Sequence, residues 1–266
     1  MTSVIEADAD SDGEEAAMIA AGPGWSLHLG NCLTGMRTLA DMSVDVTITD
    51  PPYEAEAHTK GKRQGPTSDG RVRVVDEAFT FAAITEATRL EVARQICRVT
   101  RGLALVFCQV EAVSAWQSAF VAGGMLYRRA IPWVKPDAMP SLHGRWPGQA
   151  VEMIVLAGKP GAIAPIGGKA RYYECTRERR DTRAHPTAKP LELMRQIVAD
   201  FSDPDDLVLD PFAGSGSTGV ACRMLGRRFI GWELDSNYHA VATRRLSGDE
   251  AVPRDCQPSL AFKGPA

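Results

Sequence analysis

Four consecutive residues, Asp50-Pro51-Pro52-Tyr53, follow an apolar run at residues 44–49 and could act together on an aromatic amine. Because proline fixes φ and has no N–H group, the double-proline turn can present carbonyl oxygens rigidly, and Asp50 adds a second acceptor. Two acceptors that bind the hydrogens of an exocyclic amine would draw its nitrogen lone pair out of conjugation with the ring. Tyr53 could stack on the flat base that carries this amine, an interaction of about 1–3 kcal/mol. The motif therefore predicts activation of an amine nitrogen as a nucleophile, although Asp and Pro are also common in ordinary turns.

A second segment, residues 207–218, has the pattern of a buried strand that enters a glycine-rich turn and then a helix. Gly214 and Gly216 would let the backbone approach a ligand closely, and the helix that follows offers free N–H groups. The next predicted strand ends in Glu233, whose carboxylate could bind ribose hydroxyls as in nucleotide-binding α/β folds. A glycine-rich turn alone is weak evidence, but the complete strand, turn, helix, strand and terminal acid predict a nucleotide cofactor site.

With these motifs the chain resembles the DNA amino-methyltransferases, which use S-adenosylmethionine to methylate adenine N6 or cytosine N4. The Asp-Pro-Pro-Tyr sequence resembles their catalytic motif, residues 210–216 resemble their methionine-binding motif, and residues 185–190 resemble the segment that precedes it. Because the catalytic motif comes first along this chain, the order is similar to that of the circularly permuted β group. The resemblance covers most of the sequence and implies an α/β fold with a doubly wound, mostly parallel, seven-stranded Rossmann-like sheet and an antiparallel hairpin at its edge.

The same resemblance implies which residues bind the two reactants. Residues 27–33 resemble the strand and turn that hold the cofactor's adenine, although the family usually has Asp at the position of Asn31, so the contact there loses its charge. The predicted catalytic residues are Asp50, Pro51, Pro52 and Tyr53. The predicted cofactor-binding residues are Asn31, Cys32, Asp50, His185, Thr187, Lys189, Asp210, Phe212, Ala213, Gly214, Ser215, Gly216 and Glu233. Of these, His185, Thr187 and Lys189 would close the carboxylate end, and a structural role for His185 is also open.

Asp50, the first residue of the catalytic motif, favours adenine N6 as the target, because cytosine N4 enzymes more often carry Ser at this position. Cytosine N4 methylation remains the alternative. The amine of a paired base is occupied in hydrogen bonding, so the target base has to flip out of double-stranded DNA. Guanine N2 methylation of RNA and a catalytically silent DNA-binding protein that holds the cofactor are further alternatives. The six cysteines include no Cys-x-x-Cys or Pro-Cys pair, which argues against a zinc site and against covalent cytosine C5 chemistry.

Two basic segments predict contacts with DNA phosphates and base edges. One is a long loop at about residues 54–78, and the other, residues 158–184, corresponds to a short target-recognition region; a merely solvated charge run is the alternative for both. The predicted DNA-binding residues are Lys60, Lys62, Arg63, Arg71 and Arg73 in the loop and Lys169, Arg171, Arg177, Arg179 and Arg180 in the second segment. Because so small a region can hardly read a long asymmetric site, we expect the loop or a second subunit of a homodimer to contribute.

Composition is consistent with this interpretation. The chain has 266 residues, 44% of them hydrophobic, which is enough for one α/β domain at residues 23–248. The net charge of −3 comes from residues 1–15, which contain six acids and no Lys or Arg; the remainder carries +3. We expect an acidic disordered tail at residues 1–22 and a second tail at 249–266. The sequence has no membrane-spanning stretch or secretion signal, so a cytoplasmic protein, bacterial or phage-encoded, is expected.

Hydrophobic periodicity predicts the elements that position these motifs. Strands are expected at residues 24–31, 44–49, 103–108, 207–210 and 228–232, and helices at 32–41, 82–100, 111–122 and 219–225. Residues 130–134 and 151–156 are expected to pair as the antiparallel hairpin. Trp133 and Trp146, on either side of the turn between these two strands, could pack around a flipped base or lie in the core.

Overall fold

The computed structural model describes residues 3–5, 18–52, 84–138, 147–169, 171–176 and 188–248. The strands in this part of the chain are β1 (Ser3–Ile5), β2 (Ile19–Gly22), β3 (Trp25–Leu29), β4 (Val44–Thr49), β5 (Thr100–Cys108), β6 (Leu126–Val134), β7 (Val151–Gly158), β8 (Tyr173–Glu174), β9 (Leu207–Asp210) and β10 (Arg228–Glu233). The α-helices are α1 (Cys32–Thr38), α2 (Glu86–Val99), α3 (Val113–Ala122), α4 (Leu191–Phe201), α5 (Ser217–Met224) and α6 (Ser236–Ser247).

All ten strands belong to one sheet in the order β1-β2-β3-β10-β9-β4-β5-β7-β6-β8. The five strands from β3 to β5 in this order pair in parallel, and β7 and β6 add an antiparallel hairpin beside β5. These seven strands are the predicted ones, and the antiparallel hairpin is confirmed. β4 is buried along its whole length, as expected of a central parallel strand with both faces covered.

The predicted count of seven strands is wrong, because β1, β2 and β8 extend the sheet at its two edges. β2 pairs antiparallel with β3, and β1 pairs with β2, so an edge strand within residues 1–22 replaces part of the predicted disordered tail. The side chain of Ala20 is 2% exposed, which shows that β2 belongs to the folded domain. At the other edge β8 pairs with β6 inside the predicted target-recognition region.

The helices cover both faces of the sheet and produce two apolar cores. Helices α4, α5 and α6 pack on one face, and α1, α2 and α3 pack on the other. The predicted doubly wound α/β class is therefore confirmed. Helices α4 and α6 fall in segments for which we made no helix prediction, although α4 buries Leu193, Ile197 and Phe201 at helical spacing. None of the helices in the described part of the chain combines the length and the apolar content needed to cross a membrane.

Helix α1 ends earlier than its predicted boundary at residue 41. Arg98 of α2 donates hydrogen bonds to the carbonyl oxygens of Met36, at 2.7 Å, and Leu39, at 2.8 Å. These carbonyls lie at the C-terminal end of α1, where most intrahelical donors are missing; the Met36 carbonyl also accepts from the Leu39 N–H at 3.1 Å. A long-range contact with a guanidinium therefore ends the helix, and periodicity within residues 32–41 carries no sign of it.

Candidate active site

Asp50 and the glycine-rich turn leave the sheet at the same edge. β4 lies directly beside β9, and their register pairs Thr47 with Leu209. Asp50 follows the last residue of β4, as the turn at residues 211–216 follows the last residue of β9. Pro51 is buried, Pro52 is half-buried, and Tyr53 lies outside the described residues. The fold thus brings the first sequence motif next to the second.

The turn at residues 211–216 connects β9 to α5 and has the backbone shape expected of a ligand-binding loop. Gly214 and Gly216 have φ values of +53° and +81°, in the left-handed region that favours glycine. The Ala213 N–H donates to the carbonyl of Trp232 at 2.9 Å, which ties the turn to β10. A Cβ on Gly214 would meet no atom within 4 Å. The turn is therefore held firmly on one side and open on the side from which a ligand would approach.

Asp210 fixes the geometry of this turn. Its Oδ1 accepts hydrogen bonds from the Thr49 hydroxyl at 2.6 Å and from the Phe212 N–H at 3.1 Å. Its Oδ2 accepts from the Thr218 hydroxyl at 2.6 Å. Burial raises the pKa of Asp210 to about 6, although these hydrogen bonds favour the charged form. The carboxylate joins β4, the turn and α5, so its interactions within the described part of the chain are structural.

Glu233, at the end of β10, lies against the opposite side of the turn. Its Oε2 accepts from the Gly214 N–H and its Oε1 accepts from the Asp235 N–H, each at 2.8 Å. Burial raises the pKa of Glu233, and the backbone donors partly offset that effect. Each carboxylate oxygen has a second lone pair, so Glu233 can hold the turn and still accept a hydrogen bond from a ligand hydroxyl.

Asn31 and Cys32 lie at the start of α1, at the same edge of the sheet. The N–H of Gly30 donates to the carbonyl of Glu233 at 2.8 Å, which places the β3–α1 turn beside the end of β10. Asn31 is exposed, and its Oδ1 accepts from the Leu33 N–H at 2.8 Å as the N-cap of α1. Cys32 is buried, and burial raises the pKa of its thiol to about 12. Asn31 is thus positioned near the turn, with its oxygen already used in capping.

Sequence reasoning missed a second support of the glycine turn, Arg245 on α6. Its guanidinium donates to the Ser215 carbonyl at 2.6 Å and to the Ser215 hydroxyl at 3.0 Å. Ser215 itself is buried. Arg245 lies 30 positions from Ser215 within an ordinary amphipathic helix, so no local pattern distinguishes it.

Lys189 forms an ion pair with Asp50. Its ammonium lies 2.7 Å from Oδ2 of Asp50 and 3.2 Å from Oε2 of Glu152; its predicted contact with the carboxylate end of the cofactor stays a prediction. The Lys135 ammonium contacts the other oxygen of Glu152. We call Asp50, Lys189, Glu152 and Lys135 the charge quartet. It contains two acids and two bases drawn from four separate segments of the chain.

Aromatic rings form a wall beside the charge quartet. The Lys189 ammonium lies 5.0 Å from the ring centre of Phe107 and 5.7 Å from that of Trp133, and Lys135 lies 4.7 Å from Trp133. The indole N–H of Trp133 donates to the carbonyl of Cys175 at 3.0 Å, which fixes the ring. Trp133 is 2% exposed, so of its two predicted roles the structure supports the core position. Trp146 lies outside the described residues.

Burial and the other members of the quartet together set the pKa of Asp50. Burial raises the pKa of Asp50, and the positive charge of Lys189 opposes that effect. Glu152 raises the same pKa by like-charge repulsion. Two features of the sequence point to Glu152 and Lys135: Glu152 is the one charged residue in the apolar strand β7, and Lys135 directly follows β6.

The two described members of the predicted DNA-binding set differ in their surroundings. Lys169 is exposed. Arg171 is engaged, because its Nε donates to Oδ2 of Asp200 in α4 at 2.6 Å, and the Tyr173 hydroxyl donates to the same oxygen at 2.7 Å. Tyr173 is buried in the core and cannot serve as an exposed aromatic of the recognition region.

Several predicted site residues lie outside the described part of the chain. They are Tyr53, Lys60, Lys62, Arg63, Arg71, Arg73, Arg177, Arg179, Arg180, His185 and Thr187. Among the residues that are described, no cluster of three or more His, Cys, Asp or Glu side chains is arranged to hold a metal ion.

Comparison with known proteins gives a family match over most of the chain. The family model of N6 and N4 methyltransferases, described as DNA methylase, matches residues 44–244. The type II methyltransferase M.HinfI of Haemophilus influenzae is 25% identical over an alignment of 272 positions that covers 89% of this chain and 72% of that protein. The type II methyltransferase M2.MboI of Moraxella bovis is 26% identical over 252 residues, which span 83% of this chain and 87% of that protein.

Solved structures share the fold. The M1.HpyAVI complex with S-adenosylmethionine superimposes with a TM-score of 0.62 at 26% identity, covering 84% of this chain and all of that one. The PvuII DNA methyltransferase, described as cytosine-N4-specific, superimposes with a TM-score of 0.65 at 15% identity, covering 88% of each chain. At that identity the second likeness concerns the fold alone.

Proposed function

Because the chain belongs to the DNA methylase family of N6 and N4 amino-methyltransferases, we propose that it methylates the exocyclic N6 of adenine in double-stranded DNA. Members of this family use S-adenosylmethionine, and the relatives named above are type II methyltransferases. The observation that carries the proposal is the position of Asp50. It leaves β4 at the edge where the glycine turn opens, and the residue before it is hydrogen-bonded to Asp210.

The residues around the glycine turn fit S-adenosylmethionine. An added Cβ at Gly214 would meet no neighbour, so a ligand can lie directly against the backbone there. The carboxylate of Glu233, at the end of β10, can accept hydrogen bonds from ribose hydroxyls, and the exposed Asn31 lies near the end of the same strand. We assign the turn residues 210–216, with Glu233, Asn31 and Cys32, to this cofactor.

Asp50 and the Pro51 carbonyl are assigned to the target amine. S-adenosylmethionine would supply a methyl carbon on a sulfonium. The amine nitrogen would bond to that carbon as the carbon–sulfur bond breaks onto sulfur, and the amine would then release one proton to water. Asp50 accepts a hydrogen bond from the amine and stabilises the positive charge that develops on nitrogen. The stiff double-proline turn holds the second acceptor, so most of the rate enhancement comes from orientation. Tyr53 is assigned to stack on the base.

Access to the amine requires that the adenine leaves the duplex, because pairing occupies the N6 hydrogens. We assign DNA contacts to the basic residues of the loop at 54–78 and to Lys169, with a second subunit of a homodimer completing the interface. The order of the two motifs along the chain supports the circularly permuted β group. The Asp at the head of the catalytic motif favours adenine over cytosine, and cytosine N4 methylation is the second candidate.

The test is transfer of labelled methyl groups from S-adenosylmethionine to plasmid DNA, followed by digestion to nucleosides and mass spectrometry. We expect N6-methyladenine from the wild type and a rate lowered about 100-fold or more in Asp50→Ala, as when a catalytic hydrogen-bond partner is removed. Asp41→Ala is the matched control, because Asp41 forms a surface ion pair with Arg98 outside the site; it should retain full activity.

Each other outcome identifies a different function. N4-methylcytosine as the product would replace adenine by the second candidate. Methylation of RNA guanine alone would exclude DNA as substrate. Binding of both S-adenosylmethionine and DNA without any transfer would show a silent DNA-binding protein.

A further inference from the structure

The charge quartet leaves one acceptor of Asp50 unassigned. Lys189 occupies Oδ2 at 2.7 Å, whereas Oδ1 is shielded from solvent and has no hydrogen-bond partner among the described residues. A buried carboxylate oxygen without a donor is costly unless a donor arrives during function. The two oxygens of Asp50 therefore differ: Lys189 holds one, and the other has no donor in the described part of the chain.

The Lys189 ammonium is itself held by a second carboxylate. Glu152 Oε2 lies 3.2 Å away, and the other oxygen of Glu152 contacts Lys135. The side chains of Lys189, Glu152 and Lys135 are only 10%, 13% and 13% exposed. Buried charges at such positions need partners, and their mutual removal from water makes each sensitive to the loss of another. The ammonium is thus shared between two acids and cannot neutralise either one alone.

From this geometry we propose that Lys189 and Glu152 are positioning residues for methyl transfer. Lys189 anchors Oδ2 of Asp50 and so directs Oδ1 toward the target amine. Glu152 holds the Lys189 ammonium in place and partly offsets its charge, so that the Asp50 carboxylate keeps its basicity as a hydrogen-bond acceptor. This inference rests on the proposed function and gives it a mechanism of orientation supplied by residues outside the two sequence motifs.

The arrangement predicts opposite effects for the two partners. Lys189 lowers the pKa of Asp50 and Glu152 raises it. The charged groups that face Asp50 from the described elements packed against it are Lys189, Glu152, Lys135 and Asp210. Removing the lysine should therefore make Asp50 harder to ionise, and removing the glutamate should make it easier. Because any neighbouring charge moves this pKa, a purely structural role is distinguished by kcat, which it would leave unchanged in a folded variant.

The test uses Lys189→Met and Glu152→Gln, which keep side-chain length and remove charge. Carboxyl carbon NMR with labelled aspartate, assigned with Asp50→Asn, measures the Asp50 pKa without requiring turnover. The pH dependence of kcat/KM for methylation measures the same ionisation in the working enzyme. We expect both readings to rise by about one pH unit or more in Lys189→Met and to fall in Glu152→Gln. Lys135→Met should give a smaller rise, because Lys135 contacts Glu152 and lies farther from Asp50 in the quartet.

The kinetic constants give a second criterion. We expect kcat to fall about tenfold in Lys189→Met, as orientation of the amine is lost, with KM for S-adenosylmethionine unchanged. Glu91→Gln is the matched control, because Glu91 also accepts from basic partners but lies on α2 among Arg94 and Arg37. It should leave the Asp50 pKa and the acid limb of the rate profile unchanged.

The outcomes separate this inference from the proposed function. Shifts of the Asp50 pKa in the same direction in both variants, or shifts that the rate profile does not follow, would overturn the positioning role. If Lys189→Met does not fold, the opposed shifts in Glu152→Gln and Lys135→Met decide instead. If the two variants show the opposed pKa shifts but the wild type methylates no DNA, the proposed function is overturned and, with it, this role in methyl transfer.

Discussion

The Thr49 hydroxyl donates a hydrogen bond to Oδ1 of Asp210 across 2.6 Å, although the two residues lie 161 positions apart in the sequence. Thr49 is the last residue of β4 and Asp210 is the last residue of β9. Both are almost fully buried. This one contact connects the strand that carries Asp50 to the strand that carries the glycine turn, so the two halves of the proposed site share a rigid base.

Thr49→Val tests that connection because it removes the hydroxyl and keeps the shape of the side chain. We expect the free energy of unfolding to fall by about 2 kcal/mol, the usual value for a hydrogen bond to a charged group, and S-adenosylmethionine to bind more weakly. Denaturant unfolding and calorimetric titration measure the two effects. Thr47→Val is the control, since Thr47 is also buried on β4 but bonds to Thr100 at 2.7 Å. It should lower stability without changing cofactor affinity; equal affinity losses would refute the connection.

Gly214→Ala and Gly216→Ala should separate stability from binding. Both residues have positive φ, so each substitution costs about 1–2 kcal/mol of backbone strain. An alanine methyl at position 216 would also lie 3.0 Å from Cβ of Ala242, whereas at position 214 it would enter open space. We therefore expect Gly216→Ala to lose more stability and Gly214→Ala to lose more cofactor affinity. The opposite pattern would mean that the cofactor does not lie against Gly214.

His239 on α6 should contribute a loss of stability in mild acid. Its ring is buried, its Nε2 lies 3.2 Å from the Leu27 carbonyl, and burial lowers its pKa. A lowered folded-state pKa means that the unfolded chain binds the proton more tightly. The stabilising contribution is thus complete above the ordinary histidine pKa and is lost as the pH falls below it, with a slope of at most about 1.4 kcal/mol per pH unit for one group.

Unfolding free energies measured from pH 7.5 to pH 5 in the wild type and in His239→Gln check this expectation. Glutamine can donate to the same carbonyl but does not titrate, so the slope should become smaller. The residual slope comes from groups present in both proteins: His28, whose pKa burial also lowers, and the buried carboxyls of Asp210 and Glu233, whose raised pKa acts in the opposite direction. An unchanged slope in His239→Gln would contradict the assignment.

Lys169 and Arg171 should respond differently to mutation. Lys169 is exposed, so Lys169→Met should weaken DNA binding and reduce the dependence of log affinity on log salt by about one. Arg171 is paired with Asp200, so Arg171→Met should instead lower Tm by about 3 °C, as expected for about 1 kcal/mol in a domain of this size. Fluorescence anisotropy across a salt series and thermal melting distinguish the two. A reduced salt slope in Arg171→Met would return Arg171 to the DNA interface.

Local sequence was sufficient to predict the elements on which the site is built. The β-branched residues of β4, interrupted only by Asp45, predict a strand that is covered on both faces. The glycine pattern after Asp210 predicts the turn, since the positive φ values at Gly214 and Gly216 favour glycine. The edge strand β2 and the short β8 were missed, because each depends on pairing with a distant neighbour rather than on its own composition.

By itself, the sequence determined the chemical types available: a carboxylate before two prolines, a glycine turn after a strand, and an acid at the end of the next strand. Only the tertiary structure decided which partner each one has. Lys189 forms an ion pair with Asp50, Glu152 contacts the same ammonium, and Asp210 accepts a hydrogen bond from Thr49. The physical reason is that periodicity and turn preferences act over a few residues, whereas ion pairs and buried hydrogen bonds join groups that only the folded sheet brings together.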